Sequence, residues 1–426
     1  MFTSRNFKAL LLLAASLLFL HSDAAAQSGR KSRSPGTIPG IQSAPTTPPA
    51  DSTHYDKVKV VVAHGLEDFV KALNEQGRLG YRLEKTVNYG DPKRSRNANE
   101  SLRYAAVLHL DPGHSYDYVS DPVWEDSPYS GPLNYYPGRG YGLAHAYAVT
   151  QCRLVDVYDY NAPPESATKQ EFQAEKGNVL LFMRRDAADT QTKEYRAFKG
   201  RFSLDGGQKQ ELQAALDAAP PGFRPVRILF SQSGLYIFNV TVVAERDLNE
   251  VAPPRVEYQL VKEVFGFEDE VNRLAAAGSR YVGGGRIDSL KFAVLARQAG
   301  GATAYTFKDD HQYRKEFPRM VAAGNSYVGL QVGDLTCDSD SALVSQKLVF
   351  ERDAGGARAR AYRVLQLSDH KTAKKPGVLS NSAVNELQHL LGEGFRVRDI
   401  FYNYGLYVIL ERQTGSPAAQ EQTSAR

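Results

Sequence analysis

The segment HLDPGHSYD places His109, Asp111, His114 and Asp117 within nine residues. Imidazole and carboxylate groups so close together are ligand types for Zn²⁺ or another divalent ion. The same residues also fit a strand end, a Pro-Gly turn and a new strand with polar positions. His109, Asp111 and His114 are therefore weak candidates, and the chain is read as holding no metal and needing no cofactor. YVGGGRID at 281–288 carries three consecutive glycines. A phosphate cradle needs a strand before the glycines and a helix N-terminus after them. Gly283 aligns instead with Gly329 of YVGLQVGD, inside a strand, and a strand follows, so a bulge or tight hairpin is the expectation. No G-x-S-x-G, H-E-x-x-H or G-x-x-x-x-G-K-[ST] occurs. These absences lean the reading away from an enzyme.

Two further groups carry chemistry. Cys152 and Cys337 are the only cysteines. A disulfide between them is chemically permitted in an exported chain, and two separate thiols is the alternative. A C-x-x-C metal or redox site is excluded by their spacing. The segment 112–142, PGHSYDYVSDPVWEDSPYSGPLNYYPGRGYG, holds the only tryptophan, Trp124, with Tyr129, Tyr135, Tyr136, Tyr141 and Arg139. Rigid aromatics on a turn-rich loop make good contacts for a glycan or a protein partner. The alternative is that they cover a sheet face left bare by a missing helix.

The elements that must position these residues repeat. In 257–298, VEYQLVKEV alternates like a strand and FEDEVNRLAAAG puts Phe267, Val271 and Leu274 on one helical face. Gly278 is placed to stop that helix. Two strands follow, from Tyr281 and in LKFAVLARQ. The same strand-helix-strand-strand order returns along the chain, closing on LFMRRD, VVAERD, VLARQ, LVFERD and VILERQ. An aromatic opens the second strand at Tyr81, Phe223, Tyr281, Tyr327 and Phe395, and apolar pairs such as Val70/Leu73 and Phe317/Met320 precede it on the helix. One copy is damaged: between HSYDYVS and CRLVDVYDY only 143–150 has a helical pattern.

The units are 55–111, a degenerate 112–186, 187–247, 248–298, 299–353 and 354–413. Their drifting length suggests paired or clustered units, three pairs being one such arrangement, rather than a rigid solenoid. The fold class is α+β: tandem strand-helix-strand-strand units with antiparallel and mixed sheets and helices on one face. Strands 1 and 2 of a unit should run parallel through the helix crossover, and strands 2 and 3 antiparallel.

Composition bounds the rest. A net charge of +4 on 100 charged side chains gives no argument for nucleic acid. Residues 1–26 read as a signal peptide: basic MFTSRNFK, the apolar run ALLLLAASLLFL, then Ala24-Ala25-Ala26. Residues 27–54 are a Pro/Ser/Thr-rich disordered linker and 414–426 a disordered tail. Nothing later in the sequence is long and apolar enough to span a membrane once the signal is removed.

LNEQGRLGYRLEK at 73–85 and LQHLLGEGFRVRD at 387–399 resemble a family of small uncharacterised bacterial domains. Its members carry an L-N-x-x-G-x-x-G-W-x-L-V run before a closing hairpin. Tyr or Phe replaces the Trp here. The family has no assigned activity, so the resemblance implies a βαββ unit and a bacterial source but no catalytic residue. The expectation is an exported, periplasmic or extracellular, non-enzymatic binding or scaffolding protein with a protein or glycan partner. A self-assembling envelope protein and a hydrolase acting on polysaccharide or peptide are the alternatives. N-terminal sequencing of the exported protein should begin at Gln27.

Overall fold

The computed structural model describes residues 58–90, 102–123, 129–158, 168–187, 192–203, 206–207, 209–234, 237–250, 256–263, 265–287, 290–297, 302–309, 312–335, 344–353, 360–368, 379–403 and 405–413. All belong to one compact unit, Pro45–Arg426. The fold is mixed α+β and mostly β, and strand, helix, strand, strand recurs six times. The first group is β1 (Val58–His64), α1 (Leu66–Gly77), β2 (Tyr81–Gly90) and β3 (Leu102–Leu110). The second is β4 (Tyr116–Val123), α2 (Ser130–Tyr135), β5 (Gly142–Tyr158) and β6 (Thr168–Arg185). The third is β7 (Lys193–Ser203), a two-residue β8 (Gly206–Gly207), α3 (Lys209–Asp217), β9 (Arg224–Gly234) and β10 (Ile237–Asp247). The fourth is β11 (Tyr258–Glu263), α4 (Phe267–Ala276), β12 (Ser279–Ile287) and β13 (Leu290–Arg297). The fifth is β14 (Thr303–Asp309), α5 (Tyr313–Ala322), β15 (Ser326–Leu335) and β16 (Val344–Asp353). The sixth is β17 (Arg360–Ser368), α6 (Asn381–Gly392), β18 (Arg396–Tyr402) and β19 (Leu406–Gln413).

In every group the last strand lies between the other two and runs antiparallel to both. The first and second strands are therefore parallel, as the helix crossover requires, but do not touch. The central strand can take this place because it is apolar on both faces. LRYAAVLHL of β3 is buried without interruption from Leu102 to Leu108, the pattern of a strand covered on both sides. A single parallel pair, Gly285 with Val332, joins the fourth and fifth triplets into one six-stranded sheet.

The two faces of each central strand feed different cores. Ala106 and Leu108 pack with Phe69 and Leu73 of α1 and with Tyr118 and Leu181 of the second group. Ala105 and Val107 pack with Leu387 and Leu390 of α6 and with Val408 of the sixth. Val349 of β16 belongs with the fourth group, Leu348 and Phe350 with the sixth. Among the described residues six such cores exist, each spanning one junction between consecutive groups, and one of them joins the last group to the first. At that closing junction Tyr89 stacks on Tyr402 with ring centroids 4.1 Å apart. The triplets thus close into a ring.

Polar contacts fix the spacing of the junctions. Asn74 of α1 brackets Tyr118 of β4, donating to its carbonyl at 2.8 Å and accepting from its N–H at 2.8 Å. Asn272 of α4 does the same to Tyr305. Gln213 of α3 bridges Tyr258 and Leu260, and Gln388 of α6 donates to Val58 at 3.3 Å across the closure. Each satisfies backbone groups on an otherwise open sheet edge. The hydroxyls of Tyr118, Tyr195, Tyr305 and Tyr362 accept from the N–H groups of Leu83, Leu143, Tyr281 and Tyr327, each in the preceding group.

Two expectations are corrected. Residues 143–150 are not helical: they lie in β5, where Tyr147 and Val149 face one core and Leu143 and Ala146 the other. Once the residue skipped at Ala144 is counted, the division alternates from residue to residue, which suits a strand and no helix. The helix of this group is the short α2, upstream. Nor do the units form three pairs, because a hydrophobic core joins every consecutive pair. Gly278 ends α4 as expected, with φ of 94°. Among the described residues no helix is long and apolar enough to cross a membrane.

Leu387 is fully buried in the closing core. Leu387→Ala should lower unfolding free energy by about 2–5 kcal/mol, measured by urea denaturation.

Candidate functional site

All six second strands carry the same irregularity. Their pairing with the central strand skips one residue: Glu84, Ala144, Val226, Val282, Val328 and Arg398. A bulge of this kind bends the strand and re-aims the side chain that follows. The residues that follow are Lys85, His145, Arg227, Gly283, Gly329 and Asp399. They occupy equivalent places, opposite Val107, Leu181, Val243, Val294, Val349 and Ile409 of the central strands. All six line one cavity of about 410 Å³ at the axis of the ring.

The cavity is asymmetric in charge. Three consecutive groups supply Lys85, His145 and Arg227, and the next two supply glycines. The sixth supplies Asp399. Lys85 is exposed to the cavity, whereas His145, Arg227 and Asp399 are half-buried at its wall. Arg227 donates to the Ala144 carbonyl at 3.0 Å and the Val226 carbonyl at 2.7 Å, both freed by bulges. Its Nε is buried with no partner among the described residues. Asp399 accepts from the Tyr327 hydroxyl at 2.9 Å and from the Ile400 N–H at 2.9 Å. The Tyr147 hydroxyl meets Thr86 at 2.7 Å, and its ring lies 4.7 Å from the His145 ring.

Burial sets the protonation states. It holds the His145 imidazole well below its ordinary value, with the Arg227 and Lys85 cations acting in the same direction, so His145 is neutral at pH 7. Burial raises the Asp399 carboxyl, against the Lys85 charge and the Tyr327 hydroxyl, which lower it. Burial lowers the Arg227 guanidinium, with Glu245 and Asp399 opposing. The site presents Lys85, Arg227, a neutral imidazole and the Asp399 carboxyl to one small space.

The residues singled out from sequence lie elsewhere. Tyr129 and Tyr141 are buried in the core between the second and third groups, with Leu133, Phe182 and Tyr195. Tyr129 accepts from Asn178 at 2.8 Å, and burial pushes its hydroxyl up to about 12. Tyr136 is half-buried against Phe182. α2 and the turn at Pro137–Arg139 therefore fill the place of a longer helix. Tyr135 remains exposed, with the Arg139 guanidinium 3.6 Å above its ring. Trp124, Cys337 and the side chain of Cys152 lie outside the described residues.

His109 sits on β3. Asp111 accepts from the Tyr116 hydroxyl, and His114 pairs with Asp186 at 2.7 Å. Among the described residues no three His, Cys, Asp or Glu side chains converge. The glycine run lies in β12, as a bulged strand. At Gly285 a Cβ would overlap the Phe230 ring, so glycine permits the approach of β9 there.

Sequence reasoning missed Lys85, His145, Arg227 and Asp399. A signal existed: each stands four residues after an aromatic, Tyr81, Tyr141, Phe223 or Phe395. Exposed charges such as Arg82 and Arg224 on the same strands conceal it. No family model and no curated protein matches the chain.

Asp399 has a folded pKa above its unfolded value, so its ionisation in the fold removes stability as pH rises. Asp399→Asn should therefore raise the Tm at pH 7. The gain should shrink toward pH 4, where the wild-type carboxyl is increasingly protonated. Thermal unfolding at both pH values checks this.

Proposed function

We propose that the chain is an exported, non-enzymatic binding protein of the bacterial envelope or exterior whose ligand seats in the axial cavity. The observation that carries this is the convergence of six equivalent bulges. Four of them aim Lys85, His145, Arg227 and Asp399 into one space, and two clear it with Gly283 and Gly329. A volume of about 410 Å³ falls at the low end of the roughly 300–1,000 Å³ common for small-molecule sites. Charged groups around an axis are poor packing and good recognition.

The reading includes six divergent tandem copies of the domain that LNEQGRLGYRLEK resembles, each helix on one face of its own sheet. The alternation of Ala106 and Leu108 toward α1 and of Ala105 and Val107 toward α6 supports it. A second reading, contact with a protein or glycan through α2, rests on Tyr135 and Arg139 alone. Their stacked pair is exposed, unlike Tyr129 and Tyr141.

A Cβ on Gly329 would meet no atom within 4 Å, so a large side chain there fills the cavity without displacing backbone. Native mass spectrometry of the purified protein mixed with a bacterial metabolite extract should show a small-molecule adduct. Gly329→Trp should lose it. An adduct that survives in Gly329→Trp, or none on the wild type, would sink the axial site.

A further inference from the structure

The cavity wall contains two buried polar atoms that nothing in the described fold satisfies. One is a donor, Nε of Arg227, and the other an acceptor, Oε1 of Gln346. Gln346 lies on β16, is 4% exposed and lines the same cavity. Most buried side-chain polar atoms in native interiors have a partner. A ligand that pairs both of these atoms brings an acceptor and a donor.

The two needs fall on different arcs of the ring. Lys85, His145 and Arg227 come from the first three groups, and Gln346 and Asp399 from the fifth and sixth. Among the described residues Lys85, Arg227 and Asp399 have no oppositely charged group within 4.0 Å, although the Lys85 charge acts on Asp399 at longer range. Glu84 also lines this arc, and Arg82 pairs with it at 2.7 Å; Lys85 and Arg227 then suit a carboxylate, whose oxygens accept from guanidinium and ammonium. Neutral His145 between the cations adds one donor and one acceptor without adding charge. The second arc offers two acceptors, the Gln346 amide oxygen and the Asp399 carboxylate, beside the Gln346 amide nitrogen, which donates. The gap left at Gly283 and Gly329 provides room for a short side chain.

We propose that the axial cavity takes a 2-amino or 2-hydroxy carboxylate, its carboxylate held by Lys85 and Arg227 and its amino or hydroxyl hydrogen accepted by Gln346 and Asp399. This rests on the axial cavity being the ligand site.

Calorimetric titration of the full chain tests it. The probes are the standard 2-amino acids and their 2-hydroxy analogues. Acetate and inorganic phosphate supply the anion alone, and ethanolamine the donor alone. At least one amino or hydroxy acid should bind, and the single-function probes should bind about tenfold more weakly or worse, the loss expected for one charge-assisted hydrogen bond. Lys85→Met and Gln346→Leu should each cost about the same factor. Lys85 is exposed, so its variant should keep the fold, verified by circular dichroism. Arg227 also holds the Ala144 carbonyl, so Arg227→Lys, which keeps charge but loses the fork, serves better than truncation.

Acetate or phosphate binding as tightly as the best acid would overturn the proposal in favour of a plain anion site. Ethanolamine binding as tightly would overturn it in favour of a cation site. If none of the probes binds but Gly329→Trp abolishes uptake of another metabolite, the ligand class falls and the cavity stands. If no metabolite binds at all, both fall.

Discussion

The constraint on which the structure depends is the two-faced central strand. In β3, β13, β16 and β19 consecutive apolar residues point alternately to opposite sides, and both sides must be removed from water. One strand-helix-strand-strand group owns a single helix. It can cover one face of its sheet, and the other face must be covered by a neighbour. A row of such groups always leaves a bare face at each end. Closing the row removes both, and Leu387 with Tyr402 packed against Val58 and Tyr89 is where this happens. The ring is the arrangement in which no apolar face remains.

Closure then dictates where polar groups go. The first strand of each group meets the preceding helix and is a sheet edge, except that the two-residue β8 pairs with the end of β7. Asn74, Gln213, Asn272 and Gln388 are the side chains that answer its exposed N–H and C=O groups. The second strand lies on the other side of the central strand and faces the axis, where the six groups converge and β12 pairs with β15. Flat strands would present alternate residues without a common focus. The shared bulge bends each strand and brings one position per group to the axis. That position is free of the packing demands on the central strand, so it can diverge: Lys, His, Arg, Gly, Gly, Asp. The divergence turns a symmetric frame into a polarised site.

The same frame explains the damaged second group. With a helix of only six residues, its junction to the third group lacks cover, and Tyr129, Leu133 and Tyr141 supply it. Aromatics that looked like a contact surface are largely a substitute core. Of the described candidates Tyr135 and Arg139 face outward, because the other face of α2 is spent on Phe182 and its neighbours.

Much of the local order was legible in the sequence. Period-2 and period-3.6 patterns, Gly278 after α4 and the recurrent strand endings determine the elements, since these depend on residues close in the chain. The aromatic that opens each second strand was legible as core for the same reason, and Phe395 and Tyr327 are buried. What only the tertiary structure decided is the placement of the third strand between the other two, the closure of six groups into a ring, and the site. Lys85 and Arg227 are 142 residues apart. Each alone resembles any charged residue on a half-exposed strand. Their meeting is a property of ring geometry and of a bulge, and neither leaves a periodicity to read. Side-chain type determined the chemistry lining the cavity; the closing of apolar faces, which is a long-range demand, decided that there is a cavity.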